Sequence, residues 1–346
     1  MSDTYKVTDT KKDTIEIEIT IPSKNFKESY EAISKDKAKD MDIKGFRKGQ
    51  VPEDIVKQNL GDTVKFETFE KLAPLYVNTA ITKEKISPIA PPMYKELPKI
   101  ELGKDVVFTI LVTVMPDFKL GNLKKIKIEK KDTKVTAKEV TDSLEQIKKE
   151  QKTKAKDIND TWAKEIAKSL NLEKVKNLED LKKLIKDSLK AQKEHIASHE
   201  YQDKVLEEAV KISKIEIPEA AVNYEAGERE RTFGMEMQQR GIDLKDFMKA
   251  QNLTIEKMRE MWKKDAKVAL EADTLLNLFA TEKKVEVTEK ELEKKIEEIK
   301  KSQGGKENEM YNNPQWREYI KNIELKQKSF RELMKVVGGD KEDHKE

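Results

Sequence analysis

Strong strand signals in this sequence stop at Val114, and helix signals fill the rest of the chain. Ile15, Ile17, Ile19 and Ile21 alternate with Glu16, Glu18 and Thr20, the period-two pattern of a strand with one buried face. Val106 to Val114 is rich in β-branched residues and predicts the strongest strand of the chain. Pro22 ends the first of these, and Ser23 can cap a helix that carries Phe26, Tyr30 and Ile33 on one face. Pro52 suits the first turn of a short helix through Leu60. A second helix is predicted from Asp62 to Lys83, with Val64, Phe69, Leu72, Leu75 and Tyr76 as candidate core residues. Pro88, Pro91, Pro92 and Pro98 punctuate an extended region before the second strand.

Beyond Pro116 the signals change. Lys119 to Lys156 holds 13 lysines against 6 acidic residues, and Ile126 and Ile128 alternate with lysines, so this stretch reads as a solvated basic linker or edge strand. Thr136 with Glu139 then forms a capping box, the reciprocal pairing that opens a helix. Asn159 or Asp160 caps a short helix through Trp162 and Ile166. Asn177 caps a long one in which Leu181, Ile185 and Leu189 step by four to about Ile212. Further helices are predicted from Pro218 to Gly241 and from Thr254 through Leu276. Two more run from the capping box Thr288/Glu291 to Gly304-Gly305, and from Pro314 to Val337. The two capping boxes share an echo, Val135-Thr136-x-Lys138-Glu139 and Val287-Thr288-x-Lys290-Glu291, which reads as two strong helix starts rather than a repeat architecture.

Composition narrows the classes of function. Charged residues make up 40% of the 346 positions and hydrophobic ones 36%, which excludes one large buried core and favours thin helical elements in two or three domains. The net charge of +3 gives little long-range steering toward nucleic acid, so any anion binding must be local. Without cysteine there is no disulfide, thiolate metal site or cysteine nucleophile. No apolar run opens the chain, and Val106 to Met115, its most apolar stretch, falls well short of the ~20 residues that span a bilayer. The chain therefore reads as soluble and intracellular, with no membrane partner.

Nucleotide and hydrolase signatures are missing: there is no G-x-x-x-x-G-K-[ST], G-x-G-x-x-G or G-x-S-x-G. His195 and His199 share a helical face at a spacing that can hold a metal, but Ile196 stands where H-E-x-x-H needs glutamate. They read as two solvated histidines, and neither a metal nor a cofactor is expected.

One loop stands out, Lys44-Gly45-Phe46-Arg47-Lys48-Gly49-Gln50-Val51-Pro52. Gly45 and Gly49 let the backbone turn at both ends of a three-residue tip. Phe46 is hard to bury in so short a loop, and Arg47 and Lys48 can pair with phosphate or carboxylate. An aromatic beside two cations is the composition of an interface anchor.

GFRKGQVP resembles the ribosome-docking signature G-F-R-x-G-K-x-P of the trigger factor family, chaperones that meet nascent chains at the ribosomal tunnel exit. Gly45, Phe46, Arg47, Gly49 and Pro52 match, Lys48 fills the variable place, and Gln50 replaces the usual lysine. The Trp162-Ala163-Lys164-Glu165 segment, the helix start at Asn177 and Ile215-Glu216-Ile217-Pro218-Glu219 are similar in order to the family's helical chaperone domain. The resemblance implies a multidomain α+β chain. Residues 1–115 would be the ribosome-binding domain, 116–158 a basic linker and connecting helix, and 159–337 an elongated all-α chaperone domain with helical arms. Residues 338–346 would be a disordered tail. It also implies an ATP-independent chaperone, cytoplasmic and ribosome-associated. Phe46, Arg47 and Lys48, held by Gly45 and Gly49, would meet protein and rRNA of the large ribosomal subunit. Unfolded nascent polypeptides would be the clients, and a homodimer of the free protein stays open.

The family's FKBP-like peptidyl-prolyl isomerase domain has no place here, because no strand-rich stretch fits between Lys156 and Asp160. Isomerase activity is therefore not carried over. An isomerase, or a helical RNA-binding or scaffold protein, are the alternatives. A client surface needs flexible, polarisable apolar side chains, and Phe233, Met235, Met237, Phe247, Met258 and Trp262 are the candidates. The competing role for each is packing inside the helical body.

Overall fold

The computed structural model describes residues 4–40, 53–151, 157–251, 253–305 and 308–338. These group into two compact units, Met1–Phe118 with Glu216–Glu271, and Lys119–Ile215 with Ala272–Glu346.

In the first unit a four-stranded antiparallel sheet has the order β1-β2-β4-β3, with β1 at Tyr5–Thr10, β2 at Thr14–Ile21, β3 at Met93–Tyr94 and β4 at Val106–Thr113. The register Ile17↔Ile110 and Ile19↔Phe108 puts the isoleucines of β2 and the alternate residues of β4 on one face. That face packs on α1 (Ser23–Asp40) and α2 (Glu53–Lys83). Ile17, Ile19, Ile21, Phe26, Tyr30, Val64, Phe69 and Phe108 form its core, and Phe69 meets Phe108 edge to face at 5.0 Å.

Two predicted helices here are one. α2 runs unbroken through Gly61 and Pro74, because Val64, Phe69, Ala73, Val77 and Ala80 hold a continuous buried stripe that outweighs the local cost of both breakers. Leu75, predicted as core, is 59% exposed; it lies off that stripe beside the buried Ala73 and Val77. The unit's second part holds α6 (Glu219–Gln239), α7 (Leu244–Ala250) and the start of α8 (Ile255–Lys283). Val222, Ala226 and Ala266 pack there with Ile217, Trp262 and Leu270. Glu230 binds the Arg259 guanidinium through two hydrogen bonds of 2.8 and 2.7 Å.

The second unit holds α3 (Ala137–Glu150), α4 (Asp160–Ser169), α5 (Leu178–Ser213), the end of α8, α9 (Glu289–Ser302) and α10 (Pro314–Gly338). Leu144, Trp162, Ile166, Val175 and Leu181 form one core cluster, and Val287, Leu292, Ile296, Tyr311 and Ile320 another. The basic segment is seated on this unit. Leu123 and Ile126 are buried, the 3-10 turn Leu123–Lys125 packs on α10, and Gly121 N–H donates to Ser213 Oγ at 3.0 Å. No strand forms over residues 116–136; Asn122 caps the turn instead.

Both capping boxes form, and a lysine from another helix locks each. Glu139 Oε2 accepts from Thr136 N–H at 2.8 Å, while Lys193 Nζ reaches Glu139 Oε1 at 2.7 Å and the Lys134 carbonyl at 2.8 Å. Glu291 Oε2 accepts from Thr288 N–H at 2.8 Å, while Lys328 Nζ reaches Glu291 Oε1 at 2.7 Å and the Glu286 carbonyl at 2.8 Å. The Lys193 ammonium, then the Thr136 amide and hydroxyl, pull Glu139 down from 4.5 to about 2. The Lys328 ammonium and Thr288 do the same to Glu291, also to about 2.

Candidate functional site

The tip residues Gly45, Phe46, Arg47, Lys48 and Gly49 lie outside the described residues, as does Pro52. The elements on either side are described. The segment joins the end of α1 to the start of α2, two helices that pack together and are tied by an ion pair of 2.6 Å between Lys37 Nζ and Glu67 Oε1. Lys37 and Lys39 occupy the last turn of α1, where cations complement the helix dipole. Any anchor on this segment is thus carried by two helices fixed to the sheet by Phe26, Tyr30 and Val64.

The candidate client surface is on α6, α7 and α8. Phe233 lies 5.7 Å from Phe247 and 5.6 Å from Trp262, centroid to centroid, so one half-buried ring from each of three helices meets in a tilted cluster. Asp243 accepts from the amides of Lys245 and Asp246 to start α7, which places Phe247 against α6. Met235 is 54% exposed beside this cluster in sequence, whereas Met237 and Met258 are each 7% exposed and pack inward. The same helices and the turn before α7 expose Tyr224, Ile242, Met261 and Val268. Of these only Met261 carries a sequence signal, its place among the methionines. Tyr224, Ile242 and Val268 give none, because one apolar residue among charged neighbours looks the same whether it packs or not. Phe279 is buried in the second unit. Met310 is partly exposed there.

A groove of about 460 Å³ lies between the start of α3 and α5. Val135, Ala137 and Val140 line it with Lys182, Lys183 and Lys186. Lys182 is paired with Glu179 at 2.8 Å. Among the described residues no group of three or more His, Cys, Asp or Glu gathers as a metal site, and no helix is long and apolar enough to cross a membrane.

Aromatic rings and methionines on solvated helices can hold apolar segments without chemistry. Comparison with known proteins agrees with such a role. Residues 4–147 match the family model described as bacterial trigger factor protein, and residues 177–335 match the model of the trigger factor C-terminus. The stretch between them is too short for a domain of about a hundred residues, and no isomerase model matches.

The trigger factor of Bacillus cytotoxicus is 24% identical over 387 aligned positions, covering 86% of this chain and 88% of its own. Those positions outnumber the 346 residues here, so that relative carries residues this chain lacks. A Staphylococcus epidermidis trigger factor is 23% identical, covering 81% of this chain and 86% of its own; one from Clostridium botulinum is 25% identical, covering 87% and 91%. The fold is similar to a solved structure reported as "Promiscuous Substrate Recognition in Folding and Assembly Activities of the Trigger Factor Chaperone". The TM-score is 0.54 at 19% identity, over 96% of this chain and 99% of that one. Matched at both ends by the models of one family, this chain belongs to the trigger factor family of chaperones, in a short form without the isomerase domain.

Proposed function

We propose that this protein is an ATP-independent chaperone that docks on the large ribosomal subunit at the tunnel exit and shelters emerging polypeptides. The observation that carries the proposal is the Gly45-Phe46-Arg47-Lys48-Gly49 signature, which lies inside the stretch 4–147 matched by the family's N-terminal model, in a chain whose residues 177–335 match its C-terminal model. Phe46 supplies an apolar anchor, Arg47 a planar fork for phosphate or carboxylate, and Lys48 a point charge. Residues 1–115 act as the docking domain, 116–158 connect it, and 159–337 receive clients. The tilted Phe233–Phe247–Trp262 cluster with exposed Met235 and Met261 offers those clients a polarisable apolar surface. Met237 and Met258 are buried and are not part of that exposed surface.

The test is co-sedimentation with translating ribosomes. Replacing Phe46, Arg47 and Lys48 together by alanine abolishes pelleting and leaves the circular dichroism spectrum unchanged. Pelleting weakens as salt rises, through the phosphate contacts. Pelleting of the triple variant at the wild-type level would refute docking through this loop. A protease-coupled proline-peptide assay is expected to show no acceleration.

A further inference from the structure

α5 carries His195 and His199 one turn apart on its exposed side. Their Nε2 atoms are 3.3 Å from each other and their ring centroids 4.4 Å. Two neutral imidazoles can share one proton at this distance, one ring donating and the other accepting. The same spacing suits a metal ion. Two imidazole nitrogens bound at about 2.0–2.1 Å to one tetrahedral ion stand about 3.3–3.4 Å apart. With Nδ1 carrying the proton of each ring, both Nε2 lone pairs are free to converge on one point, and the helix holds that geometry without backbone rearrangement.

The surrounding charge permits a cation. Lys190 pairs with Glu194 at 3.7 Å, Lys193 with Glu139 at 2.7 Å and Lys131 with Glu200 at 2.5 Å, so these neighbouring ammonium groups are each offset by a carboxylate. Ile196 stands where a metalloprotease helix supplies its general base, so that motif is absent, but chelation by the two imidazoles needs no such base.

We propose that His195 and His199 form a two-histidine chelate on α5 for a transition cation of the zinc, nickel and copper class, the remaining positions being filled by water or by a donor of another molecule. Imidazole suits these ions, whereas magnesium and calcium take oxygen ligands. The proposal does not depend on ribosome docking or on client binding.

Isothermal titration of the full, untagged chain with zinc chloride or nickel chloride tests it. One ion is taken up per chain. His195→Ala and His199→Ala each weaken uptake by at least about tenfold, while His344→Ala leaves it unchanged and magnesium chloride gives no heat of binding. Both rings are exposed, so the variants keep the wild-type circular dichroism spectrum. Equal affinity in the wild type and both helix variants overturns the proposal, as does no uptake at about 1 mM ion.

Discussion

Gly121→Ala tests how the basic segment is seated. A Cβ there would lie 2.3 Å from Ile212 Cγ2 and 2.8 Å from both the carbonyl carbon and oxygen of Ile212. The side-chain methyl could rotate away, but the backbone atoms cannot yield so easily. They belong to the last turn of α5, closed by the amides of Lys214 and Ile215 onto Lys211 and Val210. Gly121 has no left-handed φ, so alanine is penalised by space alone. Overpacking of this kind costs about 1–3 kcal/mol. Moving the segment also strains the Gly121 N–H bond to the buried Ser213 hydroxyl, worth about 0.5–1.5 kcal/mol more. A loss of about 3 kcal/mol lowers the melting temperature by roughly 6–12 °C for a unit of this size. Far-UV circular dichroism melts measure it. Gly227→Ala and Gly234→Ala in α6 are the internal comparison. Nothing lies within 4 Å of a Cβ at either position, so each should stabilise by up to about 1 kcal/mol through helix propensity. If Gly121→Ala melted with the wild type, the close seat on α5 would be wrong.

The two glutamates of the capping boxes make stability depend on acid. Their folded pKa values lie below the ordinary 4.5, so their contribution is complete above that pH and is lost as pH falls toward about 2. Melts of a Glu139→Gln, Glu291→Gln double variant should therefore show a flatter decline between those limits than the wild type; parallel curves would refute the assignment. Trp262→Ala, which removes one of three clustered rings, should reduce suppression of aggregation of an unfolded client several-fold while leaving ribosome pelleting intact. Unchanged suppression would place clients elsewhere.

How much of the fold was legible in the sequence depends on how local each signal is. Caps at Thr136, Asn159, Asn177 and Thr288 were legible because donor and acceptor are three residues apart. β2 was legible because one face is buried and burial writes a period of two, and β4 because its run of β-branched residues favours a strand. β1 was not, since five of its six residues are exposed and it is held by its backbone ladder to β2. Gly61 reads as punctuation in sequence, yet α2 continues because residues beyond it pack on the sheet. Leu123 looks like a stray apolar residue among lysines until α10, far along the chain, packs on its turn. The aromatic cluster of α6, α7 and α8 shows the same limit. Met235 and Met237 are two residues apart on one helix, and only the packed structure separates the exposed one from the buried one. The chemistry of the Phe46 loop, by contrast, is written in five consecutive residues.

The pair of lysine-locked helix starts has a consequence for how such chains change length. α3 and α9, each 14 residues, are moored at their first turn by one ammonium that recognises a glutamate and a main-chain oxygen. Neither mooring involves the far end of its helix. Material can therefore be spliced in or cut out downstream of α3 without casting the helix adrift.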